Sequence, residues 1–230
     1  MNPTLRPRIK ICCISNRQEL DTAVALGVDA LGLVAQMPSG PGIISDDQVR
    51  DLARHTPVSV ASFLLTSETT TQAIIAHQCR TAASTLQIVD ALSEGTYKDL
   101  RTALPGIGLL QVIHVNGPEA FDKAKRVAPH VDGVLLDSGN PNLAVKELGG
   151  TGRVHNWDIS RRIREALDIP IFLAGGLTPE NVQEAIDTVH PFGVDVCSGV
   201  RTDGHLDSGK LRSFIEAVRQ YTISMSTATT

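Results

Sequence analysis

The sequence predicts an α/β protein of the (β/α)8 class, a TIM barrel, and three observations predict it. Short β-branched apolar runs alternate with longer segments of helical period, and eight such pairs follow one another. No linker, low-complexity stretch or charge run divides them. The 230 residues exceed the usual size of one domain, but α/β barrels reach this length around a single core. The expected organisation is one barrel domain over residues 1–221 and a disordered Thr/Ser-rich tail over 222–230. A doubly wound open sheet is the runner-up, disfavoured because no strand is followed by G-x-G-x-x-G.

Ile9–Ile14 reads as the first strand. Ser15 and Gln18 form a capping box that opens a helix to about Leu26, closed by Gly27. Ala30–Val34 is the second strand. After the loop 35–44, Ser45 and Gln48 make another capping box, with Asp46 and Asp47 suited to a helix N-terminus, and that helix ends near His55. Pro57–Leu65 is the third strand, and the Thr/Ser cluster over 66–71 caps a helix to about Arg80. Strands four and five, Ser84–Val89 and Gly108–Val115, flank a short helix over Tyr97–Leu104. Gly117-Pro118 then starts the helix Glu119–Val127. Gly133–Leu136 is strand six, and roughly 20 residues precede the helix Ile159–Leu167, a loop long enough to signal function. Strand seven is Pro170–Leu173, Thr178-Pro179-Glu180 caps a helix to Val189, strand eight is Val194–Cys197, and the last helix runs from Asp207 to about Tyr221.

Apolar residues make up 42% of the chain and charged residues 20%, with a formal charge of −4 and scattered Lys and Arg. That pattern carries no footprint for nucleic acid or anionic lipid, so the expected partner is a small molecule. No uninterrupted apolar run approaches the length of about 18 residues that a membrane span needs, and a cytoplasmic location is expected. The four cysteines form no C-x-x-C pair and are expected to be reduced.

In a barrel, chemistry gathers where the strands end. Strand seven ends in Ala174-Gly175-Gly176-Leu177 and strand eight in Cys197-Ser198-Gly199-Val200. Paired glycines there let backbone N–H groups approach an anion, which implies a phosphorylated ligand. Gly149-Gly150-Thr151-Gly152 in loop six adds to the pattern. If Cys12 faces the barrel interior, alternation in strand one places Lys10 there too, one layer deeper, and turns Cys13 toward the helices. A lysine beneath a strand-end thiol favours thiolate, a plausible base. Asp137, one carboxylate after Val134-Leu135-Leu136, is the leading candidate for proton transfer. His114 ends strand five and His155 lies in loop six, but with the cysteines and Asp137 they make no metal-ligand spacing, so no metal site is expected.

Together these residues resemble the phosphoribosylanthranilate isomerase family, whose members perform an Amadori rearrangement in a (β/α)8 barrel during tryptophan biosynthesis. Lys10-Ile11-Cys12 matches the family's K-I-C, Leu136-Asp137 its L-D, and Gly149–Gly152 its G-G-T-G. Asn156-Trp157 resembles the end of F-D-W, 175–182 matches G-G-L-x-P-E-N-V, and 194–200 resembles V-D-V-S-S-G-V. The resemblance spans nearly the whole chain. It implies Cys12 as general base, Asp137 as general acid, no cofactor, and a substrate-binding set of Lys10, Gln87, Gly150, Thr151, Gly152, Gly175, Gly176, Asp195, Ser198, Gly199 and Arg201. As a partner it implies a small phosphorylated sugar, met by a monomer or homodimer.

Four departures mark this chain as a divergent member. Ser39-Gly40-Pro41-Gly42 stands where the family has S-x-R, so Arg201 or Arg153 is expected to replace the missing arginine. Gln87-Ile88-Val89-Asp90 stands for Q-L-H-G and keeps only the glutamine. Cys13 replaces a glycine, and Arg201 replaces a glutamate after S-G-V. Two alternatives stay open: a paralogous barrel acting on another phosphosugar, and a non-catalytic phosphometabolite-binding protein.

Overall fold

Eight parallel strands close on themselves in sequence order, each followed by a helix, as the alternation predicts. The computed structural model describes residues 6–139, 152 and 154–220, and the backbone of 221–227. The strands are β1 Arg8–Ile11, β2 Ala30–Val34, β3 Ala61–Thr66, β4 Thr85–Ile88, β5 Gly108–His114, β6 Gly133–Asp137, β7 Ile171–Leu173 and β8 Gly193–Val196. The helices are α1 Arg17–Ala25, α2 Asp46–His55, α3 Thr71–Thr81, α4 Tyr97–Ala103, α5 Glu119–Val127, α6 Trp157–Ala166, α7 Val182–Val189 and α8 Ser208–Thr227. Pairing of β1 with β8, Lys10 opposite Asp195, closes the barrel and rules out the open sheet.

Alternation along the strands divides the core in two. Ile9, Ile11, Leu31, Leu33, Leu86, Ile88, Val134 and Leu136 point outward and pack beneath the helices. Ala30, Phe63, Leu110, Val112, Leu135 and Phe172 fill the barrel interior. Phe172 is central there, edge-on to Phe63 at 6.3 Å and to Phe192 at 5.5 Å. Gly32 is a packing requirement of this layer: a Cβ on it would stand 2.9 Å from Cys12 Sγ and 3.0 Å from Lys10 Nζ.

Several boundaries move for local reasons. Helix α1 is capped by Asn16 rather than Ser15: Glu19 accepts the Ser15 N–H at 3.0 Å, and Asn16 Oδ1 accepts the Glu19 N–H at 3.0 Å. The capping box at Ser45 and Gln48 forms as expected. Strand β3 starts at Ala61, not Pro57, because Val60 N–H turns back onto the Pro57 carbonyl at 2.9 Å. Helix α7 starts at Val182, since Thr178 to Asn181 form a separate turn in which Asn181 Oδ1 accepts the Thr178 N–H at 2.8 Å. Helix α8 continues past Tyr221 to Thr227, and no Gly or Pro stands after Gly209 to stop it. Among the described residues no helix is long and apolar enough to cross a membrane.

Candidate active site

A cavity opens at the C-terminal end of the barrel. Its wall is built from Cys12 and Cys13, from Val34, Met37, Ser39, Gly40 and Pro41 of β2 and its loop, from Leu65 and Gln87, from Leu135 and Asp137, and from Gly152. Residues 174–177 and 195–198 of loops seven and eight complete it. Among the predicted site residues, Cys12, Asp137, Gln87, Gly152, Gly175, Gly176, Asp195 and Ser198 meet on this one wall.

Lys10 lies beneath the cavity rather than on its wall. Its side chain is fully buried and its Nζ donates to Asp195 Oδ1 at 2.9 Å, while the Phe63 ring lies 5.4 Å away. Burial opposes the Lys10 charge, but the Asp195 carboxylate, helped by Cys12, overrides it and raises the ammonium above its ordinary value. The ion pair therefore holds Asp195 in place under Cys12, which matches the layer position that alternation assigns to Lys10.

Asp137 ends β6 and is 7% exposed. Its Oδ1 accepts the Ser138 N–H at 2.8 Å, which orients the carboxyl and leaves Oδ2 for other work. Burial pushes its pKa up, and Asp195 adds to this, against the opposing pull of the Ser138 N–H, His114 and Lys10. A carboxyl whose proton is held more tightly in this way is suited to general-acid work.

Cys13 does not face the helices. The strand ends at Ile11, and Cys13 adopts φ 66°, a left-handed conformation that breaks the alternation and turns the thiol toward the cavity. The same conformation explains why a glycine belongs at this place in the family pattern. The Cys13 thiol hydrogen-bonds to those of Cys12 and Cys197; these bonds and burial raise its pKa well above the ordinary thiol value. The bond from Cys13, assisted by Arg201, pulls Cys197 below that value against its burial.

Both terminal nitrogens of Arg201 are engaged within the protein, while its Nε is buried without a partner. Nη1 donates to Glu19 Oε1 at 2.9 Å and to the Gly204 carbonyl at 2.9 Å, and Nη2 reaches the carbonyls of Cys12 and Cys13. Both partners of the Glu19–Arg201 ion pair are 7% exposed. Against the expected replacement of the loop-two arginine by Arg201, the terminal nitrogens of its guanidinium fix the β1 loop, and Arg201 is not on the cavity wall. Gly150, Thr151 and Arg153 lie outside the described residues. Gly199 is not on the cavity wall; any Cβ there would collide with the Leu177 carbonyl oxygen, so it lets loop eight seat against loop seven.

His155 sits off the cavity wall, its Nε2 2.7 Å from Ser160 Oγ, and burial pushes its pKa down to about 4. Among the described residues no group of His, Cys, Asp and Glu is arranged to hold a metal ion. The sequence reading missed Met37, Cys13 and Cys197 as wall residues. The rigid run Met37-Pro38-Ser39-Gly40-Pro41-Gly42 directly after β2 was the available signal for the first.

The sequence model described as "PRAI: N-(5'phosphoribosyl)anthranilate (PRA) isomerase" matches residues 9–217. The chain is 36% identical over 230 residues to N-(5'-phosphoribosyl)anthranilate isomerase of Methanosarcina acetivorans, covering 94% of each chain. It is 33% identical to the protein of that name from Haloferax volcanii, with 92% of this chain and 93% of the relative covered. Among solved structures it resembles phosphoribosyl anthranilate isomerase from Thermotoga maritima, with a TM-score of 0.76 and 27% identity over 93% of this chain and 99% of that one. It also resembles a phosphoribosyl anthranilate isomerase crystallised with reduced 1-(o-carboxyphenylamino)-1-deoxyribulose 5-phosphate, with a TM-score of 0.73 and 25% identity over 93% and 99% of the two chains. With matching that runs from β1 into α8, the chain belongs to the N-(5'-phosphoribosyl)anthranilate isomerase family.

Proposed function

We propose that this protein catalyses the Amadori rearrangement of N-(5-phosphoribosyl)anthranilate to the 1-deoxyribulose 5-phosphate product in tryptophan biosynthesis. The observation that carries the reading is the meeting of Cys12 and Asp137 on one cavity wall with the glycine loops after β7 and β8, in a chain of this family.

In this reading Asp137 is the general acid. Its proton goes to the furanose ring oxygen, the C1–O bond breaks with its electron pair on that oxygen, and the anilino nitrogen forms an iminium with C1. The Cys12 thiolate then takes the C2 proton, giving the enolamine, whose ketonisation yields the product. One acid and one base suffice, and the chemistry calls for no cofactor. Gly152, Gly175, Gly176 and Ser198 would turn backbone N–H groups toward the 5-phosphate and hold the ribose between acid and base. Gln87 supports the reading as a ligand contact, since its Oε1 is buried on the wall without a hydrogen-bond partner. Lys10 enters as the group that orients Asp195.

The test is turnover of phosphoribosylanthranilate followed through the loss of its fluorescence. Conversion by the purified chain is expected; a folded protein that leaves the fluorescence unchanged would sink the assignment.

A further inference from the structure

His114 is the group near the acid that the reaction above leaves unused. It ends β5 in register with Asp137 on β6, which sets the two side chains on the same barrel face, and it is 8% exposed. A backbone carbonyl only accepts, so the 2.9 Å contact between His114 Nε2 and the Val89 oxygen fixes the proton on Nε2. In the neutral ring Nδ1 then carries the lone pair, and it is buried without a hydrogen-bond partner. Buried polar atoms are almost always satisfied, so an orphan in register with a proposed acid calls for an explanation.

Among the described residues, the surroundings of Asp137 leave the task of proton exchange with it to one. When the carboxyl gives up its proton, the carboxylate remains buried with Asp195 nearby. Lys10 is already engaged with Asp195 at 2.9 Å. The imidazole is the neighbour with an open site for a proton. The sequence adds a coincidence of position: Val89, whose carbonyl anchors the ring, stands where the family pattern Q-L-H-G has its histidine.

We propose that His114 is a positioning residue for the acid, supplying from β5 the imidazole that β4 lacks, so that Asp137 and His114 together hold the proton used in ring opening. The proposal rests on Asp137 being that acid. The protons balance over a turnover. Asp137 protonates the ring oxygen, Cys12 takes the C2 proton and returns one to C1, and the proton lost from the 2-hydroxyl as the ketone forms passes through Nδ1 back to Asp137. The charged and titratable groups around His114 are Asp137 on β6, with Lys10 and Asp195 behind it, and Asp90, Tyr97, Lys123 and Arg126 along the neighbouring cavity between α4 and α5.

The experiment pairs kinetics with a titration of the full chain. His114→Gln keeps a donor for the Val89 carbonyl but cannot take a proton. It is expected to lower kcat ~10- to 100-fold with KM moved less than about 3-fold, and to shift the high-pH limb of the kcat profile. A kcat within about 2-fold of wild type, or a raised KM at unchanged kcat, overturns the proposal. In case the variant misfolds, 15N NMR of the imidazoles is recorded for wild type and Asp137→Asn. The His114 ring-nitrogen signals are expected to shift between the two proteins, and unmoved His114 signals overturn the pairing. Wild-type protein without turnover but with that shift supports the pair while sinking the reaction.

Discussion

At the scale of single residues, the site depends on charges that are already matched before any ligand arrives. Lys10 and Asp195 are both buried, and removing one leaves the other as an uncompensated charge. Lys10→Met is therefore expected to lose roughly 3–5 kcal/mol of stability in urea unfolding, and an additional Asp195→Leu should recover part of it. No loss in the single variant would show that the pair is dispensable. The two residues proposed to touch the reacting atoms should behave differently. Cys12→Ala and Asp137→Asn are expected to cut kcat by about two to four orders of magnitude with stability little changed. Near-normal rates in either would refute its role. Cys13 shows where reading by residue type falls short. Its left-handed φ of 66° comes from the path of the chain between β1 and α1, so alternation alone sends its side chain the wrong way. A cysteine replacing a glycine was the one hint in the sequence.

At the scale of elements, the Glu19–Arg201 ion pair joins the start of α1 to the segment after β8. Glu19 also accepts the Leu206 N–H at 3.0 Å within the small ribbon formed by Arg201–Thr202 and His205–Leu206. Breaking it with Glu19→Gln is expected to cost about 3 kcal/mol near neutrality. The pH dependence has a definite sign. Burial works against the Glu19 charge, but Arg201 and the backbone N–H groups of Leu206 and Ser15 override it and lower the pKa below the ordinary 4.5. The unfolded chain thus binds the proton first, so the contribution is full above 4.5 and drains away as pH falls through the lowered folded value. Unfolding curves of wild type and Glu19→Gln should converge as the pH drops below 4.5, and a constant gap would contradict this account. The identity of every barrel strand and its following helix was legible from the period of the apolar residues, whereas the two-stranded ribbon after β8 was not. The ends were less so, because they are decided by competing local bonds: Asn16 over Ser15, the Pro57 turn before β3, and the Thr178 turn before α7. The Glu19 partner of Arg201 was hidden for a related reason, since a sequence shows a cation without showing which carboxylate pairs with it.

At the scale of the whole molecule, the two ends of the barrel have different characters. The C-terminal end gathers Cys12, Asp137, Asp195 and the glycine loops. The opposite end is open and lined by small and aromatic residues, among them Ala30, Ala61, Gly133, Phe172 and Phe192. Barrel enzymes use the first end for chemistry and the second for stability, which is why strand-end residues could be singled out before any coordinates. What strand order could not supply was closure, because the contact that decides it joins residues far apart in the chain.

That contact has a consequence for how the protein is made. Lys10 and Asp195 are 185 positions apart, and β1 has no partner on its β8 side until strand eight has left the ribosome. Through most of synthesis β1 is an exposed edge carrying an unmatched lysine, and an edge strand invites pairing with the wrong chain. A charge on an unfinished seam keeps such encounters soluble, then becomes the clasp once Asp195 arrives. A lysine on that unfinished seam is expected to disfavour aggregation until the last strand closes the ring, which soluble yield of Lys10→Met against wild type would check.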